Sequence, residues 1–130
     1  MILDTSAIVA AVAKEPDCVI YQNPMLSSDE LAMSAITVLE TRIVLQSRFG
    51  ATLVSSFDVL LGNFDIIVVP FDSDQAQVAF DRFRRYGKGQ GHPAQLNIID
   101  CAAYALAKIR EVPLLFKGND FSRTDIKPAL

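Results

Sequence analysis

Along this chain, short aliphatic or β-branched runs alternate with longer stretches whose apolar residues recur at helical spacing, the pattern of an α/β domain with a mainly parallel sheet. Ile2-Leu3-Asp4 reads as a short buried strand. Thr5 and Ser6 then offer caps for an apolar helix reaching about Lys14, which Glu15-Pro16-Asp17 breaks. A second helix is expected from Asp17 to about Leu26, then a loop at Ser27-Ser28-Asp29 and a short strand over Leu31–Ser34. Between Ser34 and Phe49, Ile36, Leu39, Ile43 and Leu45 form an apolar stripe, and Gly50 is a natural stop. Ala51–Leu61 continues as a helix ending at Gly62-Asn63. The β-branched run Asp65–Pro70 predicts a strand buried on both faces of a parallel sheet. Ala76, Ala79, Phe80 and Phe83 make one face of a helix from about Ser73 to Tyr86.

Gly87–Pro93 holds three glycines in its first five residues and reads as an irregular loop. It follows a helix, whereas a dinucleotide-binding loop follows a strand. Asn97–Arg110 is helical, Pro113–Phe116 is a strand closed by the turn Gly118-Asn119-Asp120, and Ile126–Leu130 is an expected edge strand. The pattern predicts a single domain over residues 1–130, with four to five strands flanked by helices.

Composition agrees: 130 residues, 51% hydrophobic and 21% charged, suffice for one core and are too apolar for a disordered chain. The early apolar stretch Ala7–Ala13 lacks a basic leader and is far shorter than the roughly 20 residues a bilayer requires. A cytoplasmic protein is expected. Cys18 and Cys101, far apart and outside any CxxC, read as two buried thiols. The net charge of -3 hides an asymmetry, since residues 1–81 carry 11 acids and 3 bases and residues 82–130 carry 4 acids and 9 bases. Bulk charge therefore excludes a protein that coats nucleic acid, and a nucleic-acid substrate would need a local basic rim.

Chemistry gathers on four acids. In open α/β sheets ligands bind beyond the carboxyl ends of strands. Asp4 ends the first strand and Asp120 lies in the turn after the last, so both face one crevice if those strands are neighbours. Either also has an ordinary role, Asp4 as a helix cap and Asp120 in an Asx-type turn. Glu40 emerges beside an apolar stripe, where an unpaired charge is costly; Thr37-x-x-Glu40 alternatively spells a capping box if the helix starts at Thr37. Asp100 falls in the first turn of its helix, three residues after Asn97, where the dipole favours negative charge. Like charges about 4 Å apart repel by roughly 4 kcal/mol at an effective dielectric near 20, so a cluster of the four requires cations or protonation. Oxygen ligands without a thiolate or histidine cluster favour Mg²⁺ or Mn²⁺ over zinc.

Met1–Ala7, Ser34-Ala35 through Leu39-Glu40, Gly87-Lys88-Gly89 with His92-Pro93-Ala94, Leu96-Asn97, Asp100–Ala107 and Leu114–Phe121 with Thr124-Asp125-Ile126 together resemble a PIN domain of the VapC toxin type, over the whole chain and in order. That resemblance implies a metal-dependent endoribonuclease, the toxin of a toxin–antitoxin pair, inhibited by a VapB-like antitoxin and commonly homodimeric. It carries the family's acidic residues onto Asp4, Glu40, Asp100 and Asp120, as catalytic and metal-binding groups for Mg²⁺ or Mn²⁺. Thr5, Ser6 and Asn97 are implied to support them. The chain departs from the pattern at Gln90-Gly91, where many relatives have a basic residue, and at Ile98-Ile99, where glycine often precedes the aspartate. Arg82, Arg84, Arg85 and Lys88 are the candidate RNA rim, with Tyr86 available to stack on a base and His92 nearby. An ordinary solvated helix face, with Asp81 pairing Arg84 or Arg85, accounts for the same residues. Two other classes fit the residues less completely: a PIN-like module retained for protein binding, and an Asp-nucleophile phosphotransferase built on Asp4, where Ser6 stands in place of the second aspartate.

Overall fold

Successive residues of a strand point to opposite faces, and in the computed structural model, which describes residues 1–130, that rule divides the core in two. Strands β1 (Ile2–Leu3), β2 (Ala32–Ser34), β3 (Ile67–Val69) and β4 (Leu114–Leu115) form an all-parallel sheet in the order β3-β2-β1-β4. Ile2, Ala32 and Leu114 enter one apolar cluster, and their neighbours Leu3, Met33 and Leu115 enter the other. Helices α5 (Ser73–Tyr86) and α6 (Ile98–Arg110) fill the first cluster with Ala79, Tyr86, Tyr104 and Leu106. Helices α1 (Thr5–Val12), α2 (Cys18–Ser27), α3 (Ala35–Phe49) and α4 (Ala51–Asn63) supply Ile8, Met25, Leu45 and Phe57 to the second. Helix α6 is buried continuously from Cys101 to Ala107, and four of those seven residues are alanine, so the helix lies close to its neighbours on all sides. No helix is long and apolar enough to cross a membrane.

The parallel sheet, the helix order and the stops at Glu15-Pro16-Asp17 and Gly50 follow the sequence pattern. Several faces do not. β3 is an edge strand paired only with β2, and Ile67 and Val68 are exposed rather than buried on both sides. On α3 the buried residues are Thr37, Val38, Thr41 and Leu45, while Leu39 and Ile43 are 57% and 55% exposed. The helix is rotated because it meets α1 through small hydroxyl side chains: Thr41 donates to the Thr37 carbonyl at 2.8 Å, and Thr5 Oγ1 lies 3.0 Å from Thr41 Oγ1. On α5, Ala79 is buried but Phe80 is 57% exposed. The expected strand over Ile126–Leu130 reduces to one bridge between Leu114 and Pro128, flanked by hydrogen bonds at Lys127 and Ala129, since proline has no N–H to extend a ladder. Cys101 is buried, Cys18 is only half-buried, and both are free thiols.

The register predicts a contrast between two leucines. Leu115→Ala, at a fully buried sheet position, lowers unfolding free energy by about 2–5 kcal/mol in urea titration. Leu39→Ala, at the exposed position that helical spacing alone places in the core, changes it by no more than about 0.5 kcal/mol. Equal losses would mean that α3 is turned the other way.

Candidate active site

A parallel sheet sends the carboxyl ends of β1 and β4 to the same edge, and there a cavity of about 410 Å³ opens. Asp4, Glu40, Asp100 and Asp120 all line it, together with Thr5 and Ser6. Each acid arrives by a local rule. Asp4 leaves β1 with extended backbone and caps α1, its Oδ2 accepting the Ser6 N–H at 3.0 Å and the Ser6 hydroxyl at 2.6 Å. Ser6 Oγ in turn accepts the Lys117 N–H at 2.9 Å, so one hydroxyl ties the end of β4 to the carboxylate at the end of β1. Glu40 stands on α3 in line with Val44 and Arg48, four and eight residues on, and this stripe forms one wall. Asp100 is held by a capping box: Asn97 Oδ1 accepts the N–H groups of Ile99 and Asp100 at 2.9 and 2.8 Å, and Asp100 Oδ2 accepts the Asn97 N–H at 3.0 Å. Asp120 leads into a short 3₁₀ turn, Phe121–Arg123.

The arrangement is electrostatically uncomfortable. Burial pushes the Asp4 carboxyl above its ordinary range, opposed by its bonds from Ser6 and reinforced by Glu40. Asp100 is raised to about 7, first by burial, against the Asn97 hydrogen bond and helped by the charges of Asp4, Glu40 and Asp120. Asp4 Oδ1 is buried without any hydrogen-bond partner. An orphaned carboxylate oxygen within an all-oxygen donor set suits a hard divalent cation, which would supply the missing partner and the missing charge. No three of these side chains converge closely enough to cage an ion alone. Water or substrate oxygens would complete the shell, the ordinary manner of binding Mg²⁺.

The proposed rim is elsewhere. Arg82, Arg84, Arg85 and Lys88 do not line this cavity. The guanidinium groups of Arg82, Arg84 and Arg85 instead lie over the rings of Tyr104, Phe80 and Tyr86, at 5.7, 5.9 and 5.0 Å. Tyr86 is buried, donates to Asp125 at 3.2 Å and packs edge-on against His92, so it is not available to stack on a base. Asp81 accepts from Gln77 and pairs with neither arginine. Ser34 precedes α3, so the Thr37–Glu40 capping box does not form. The cations that do line the cavity are Arg48 and Lys117, which sequence reasoning missed along with Glu15. Arg48 was findable, because it shares the i, i+4, i+8 stripe with Glu40; Lys117 and Glu15 meet across about a hundred residues and leave no local signal.

Comparison with known proteins shows the family. The PIN domain family model matches residues 1–127. Ribonuclease VapC42 of Mycobacterium tuberculosis is 43% identical over 129 residues, covering 99% of this chain and 98% of that protein. Among solved structures, the fold is similar to Mycobacterium tuberculosis VapC20, described as a sarcin-ricin loop cleaving toxin, with TM-score 0.77 and 17% identity over 96% of this chain and 95% of the other. It is also similar to VapBC2 from Rickettsia felis, solved on a DNA fragment from its promoter, with TM-score 0.73 and 16% identity over 98% and 94% of the two chains. The chain belongs to the PIN domain family and, within it, to the VapC ribonucleases.

Proposed function

We propose that this chain is an endoribonuclease that uses Mg²⁺ or Mn²⁺ to hydrolyse RNA phosphodiester bonds, acting as the toxin of a toxin–antitoxin pair. The observation that carries this reading is the meeting of Asp4, Glu40, Asp100 and Asp120 around one cavity, with one oxygen of Asp4 left unpartnered. Asp4, Asp100 and Asp120 with Glu40 would hold a divalent cation together with water, and such an ion would supply a Lewis acid that acidifies water and balances charge growing on the phosphate. The chain's own groups set the geometry. Ser6 fixes the Asp4 carboxylate through two hydrogen bonds, and the Asn97 box fixes one oxygen of Asp100 while leaving the other free. Glu40, on the α3 wall of the cavity, would hold the ion or orient the attacking water.

A VapB-like antitoxin and a second copy of this chain are the expected protein partners. The proposal is supported by the relatives' names and by an exposed apolar face on which Phe71, Phe80 and Ile98 border a cavity whose lining is entirely apolar.

Incubating a mixed RNA pool with the purified protein tests the reading directly. Cleavage in Mg²⁺ or Mn²⁺, abolished by EDTA, is expected, and Asp4→Asn or Asp100→Asn lowers the rate by at least about 100-fold, the several kcal/mol a metal ligand contributes in the transition state. Folded variants that cut at near-normal rates would remove these residues from the site.

Stability should respond to pH in a defined direction. Asp100 holds its proton in the fold up to about 7, against an ordinary value of 3.8, so the folded state binds a proton that the unfolded chain has released. That contribution is complete below about pH 4 and is lost as pH rises through about 7. The melting temperature of EDTA-treated protein therefore falls from about pH 5 to about pH 8, Asp100→Asn flattens the fall, and Mg²⁺ raises the value at the alkaline end. A melting temperature that climbs over this range in EDTA contradicts the assignment.

A further inference from the structure

RNA brings a negative charge with every nucleotide to a cavity already walled by Asp4, Glu40, Asp100, Asp120 and Glu15. A divalent ion would answer the charge at the phosphate being cut; the neighbouring phosphates need a cation of the protein. Arg48 and Lys117 are the cationic residues in the lining, and they differ in how they are held. Arg48 is more than half exposed near the end of α3 and reaches Glu15 only at 4.0 Å. Lys117 is built in. Its backbone N–H is bonded to Ser6 Oγ, and Ser6 is bonded to Asp4, so the lysine main chain is fixed relative to the first catalytic carboxylate.

The Lys117 ammonium group is, however, already engaged. Its Nζ pairs with Glu15 and, at 2.9 Å, with Asp17, the two acids on either side of Pro16 in the break between α1 and α2. All three side chains are between a quarter and about a third exposed. A partly exposed ion pair of this kind adds little to stability, and one carboxylate would suffice to neutralise one lysine. With Arg48 reaching Glu15 at 4.0 Å the two acids and two bases balance, and the acids hold Lys117 by contacts that a phosphate at the same cavity has to displace. Resting on the ribonuclease reading, we infer that Lys117 binds an RNA phosphate next to the cleavage point, and that Glu15 and Asp17 compete with RNA for its ammonium group. The competition makes binding selective, because only an RNA whose remaining contacts fit the cavity displaces the two acids.

Steady-state cleavage of a mixed-sequence single-stranded RNA in Mg²⁺, at KCl from about 50 to about 300 mM, separates this role from that of a structural staple. Lys117→Ala is expected to raise KM about 10-fold with kcat changed less than about 3-fold, one charge-assisted contact being lost. The slope of log KM against log salt falls by about 0.7, the counterion release of one single-strand phosphate contact, and Lys117→Arg restores it. Glu15→Gln moves KM the other way, lowering it about 3-fold, because it removes a competitor rather than a contact. A staple gives the opposite result. An unchanged salt slope in Lys117→Ala, or a KM in Glu15→Gln that stays level or rises, overturns the inference while the ribonuclease reading stands. Failure of the wild-type chain to cut this RNA in either Mg²⁺ or Mn²⁺ overturns the ribonuclease reading itself, and the phosphate role with it.

Discussion

Asp4 and Asp100 resist ionisation where they stand, in one partly buried cavity shared with Glu40 and Asp120, and much of the molecule is organised around holding them there. Removal from water raises Asp4 and Asp100, the charge of Glu40 adds to the rise of Asp4, and the charges of Asp4, Glu40 and Asp120 add to that of Asp100. The two carboxylates raised by burial are each fixed by hydrogen bonds. Here the fixing groups are backbone N–H donors at helix starts. Asp4 is held as the cap of α1 and Asp100 by the reciprocal box with Asn97. Positive helix ends make both positions tolerant of negative charge.

That arrangement explains why so small a sheet is enough. Strands of two or three residues contribute little hydrogen bonding, yet the parallel pairing of Ile2 with Leu114 and of Leu3 with Leu115 aligns the ends of β1 and β4. The two residues of each strand anchor opposite apolar clusters, so neither strand can slip by one position without exchanging its core faces. Ser6 then joins the two ends through Asp4 and the Lys117 N–H. The alanine-rich core of α6 brings Asp100 to the same edge by lying tightly against the sheet. Sheet register, helix caps and one serine hydroxyl together bring Asp4, Asp100 and the Lys117 main chain to one edge.

Local chemistry was legible in the sequence wherever it is set by neighbours along the chain. The stop at Gly50, where φ is +89°, and the break at Glu15-Pro16-Asp17 follow from backbone preferences. The four acids were legible because their positions at strand ends, at a helix start and beside an apolar stripe are unusual for charge. Facing was less legible. Leu39 and Ile43 fit the helical period better than Thr37 and Thr41, but α1 meets α3 so closely that small hydroxyl side chains, bonded to each other and to a carbonyl, fill the contact. A similar failure hid β3, whose β-branched residues lie at a sheet edge that only the strand order reveals.

The unequal charge of the two chain halves shows the same limit in its sharpest form. A basic second half suggested a rim on α5, yet three of its arginines lie over aromatic rings of their own neighbourhood and none lines the cavity. The cations at the site are instead one from each half, Arg48 and Lys117, and the acids opposite them also come from both: Asp4, Glu15 and Glu40 from the first, Asp100 and Asp120 from the second. Charge at a site is decided by which strand ends the topology brings together, and summing along the chain averages over that choice. Glu15 and Lys117, about a hundred residues apart along the chain, become partners because β1 and β4 are neighbours. The electrostatics of the cavity are therefore a property of strand order first and of composition second.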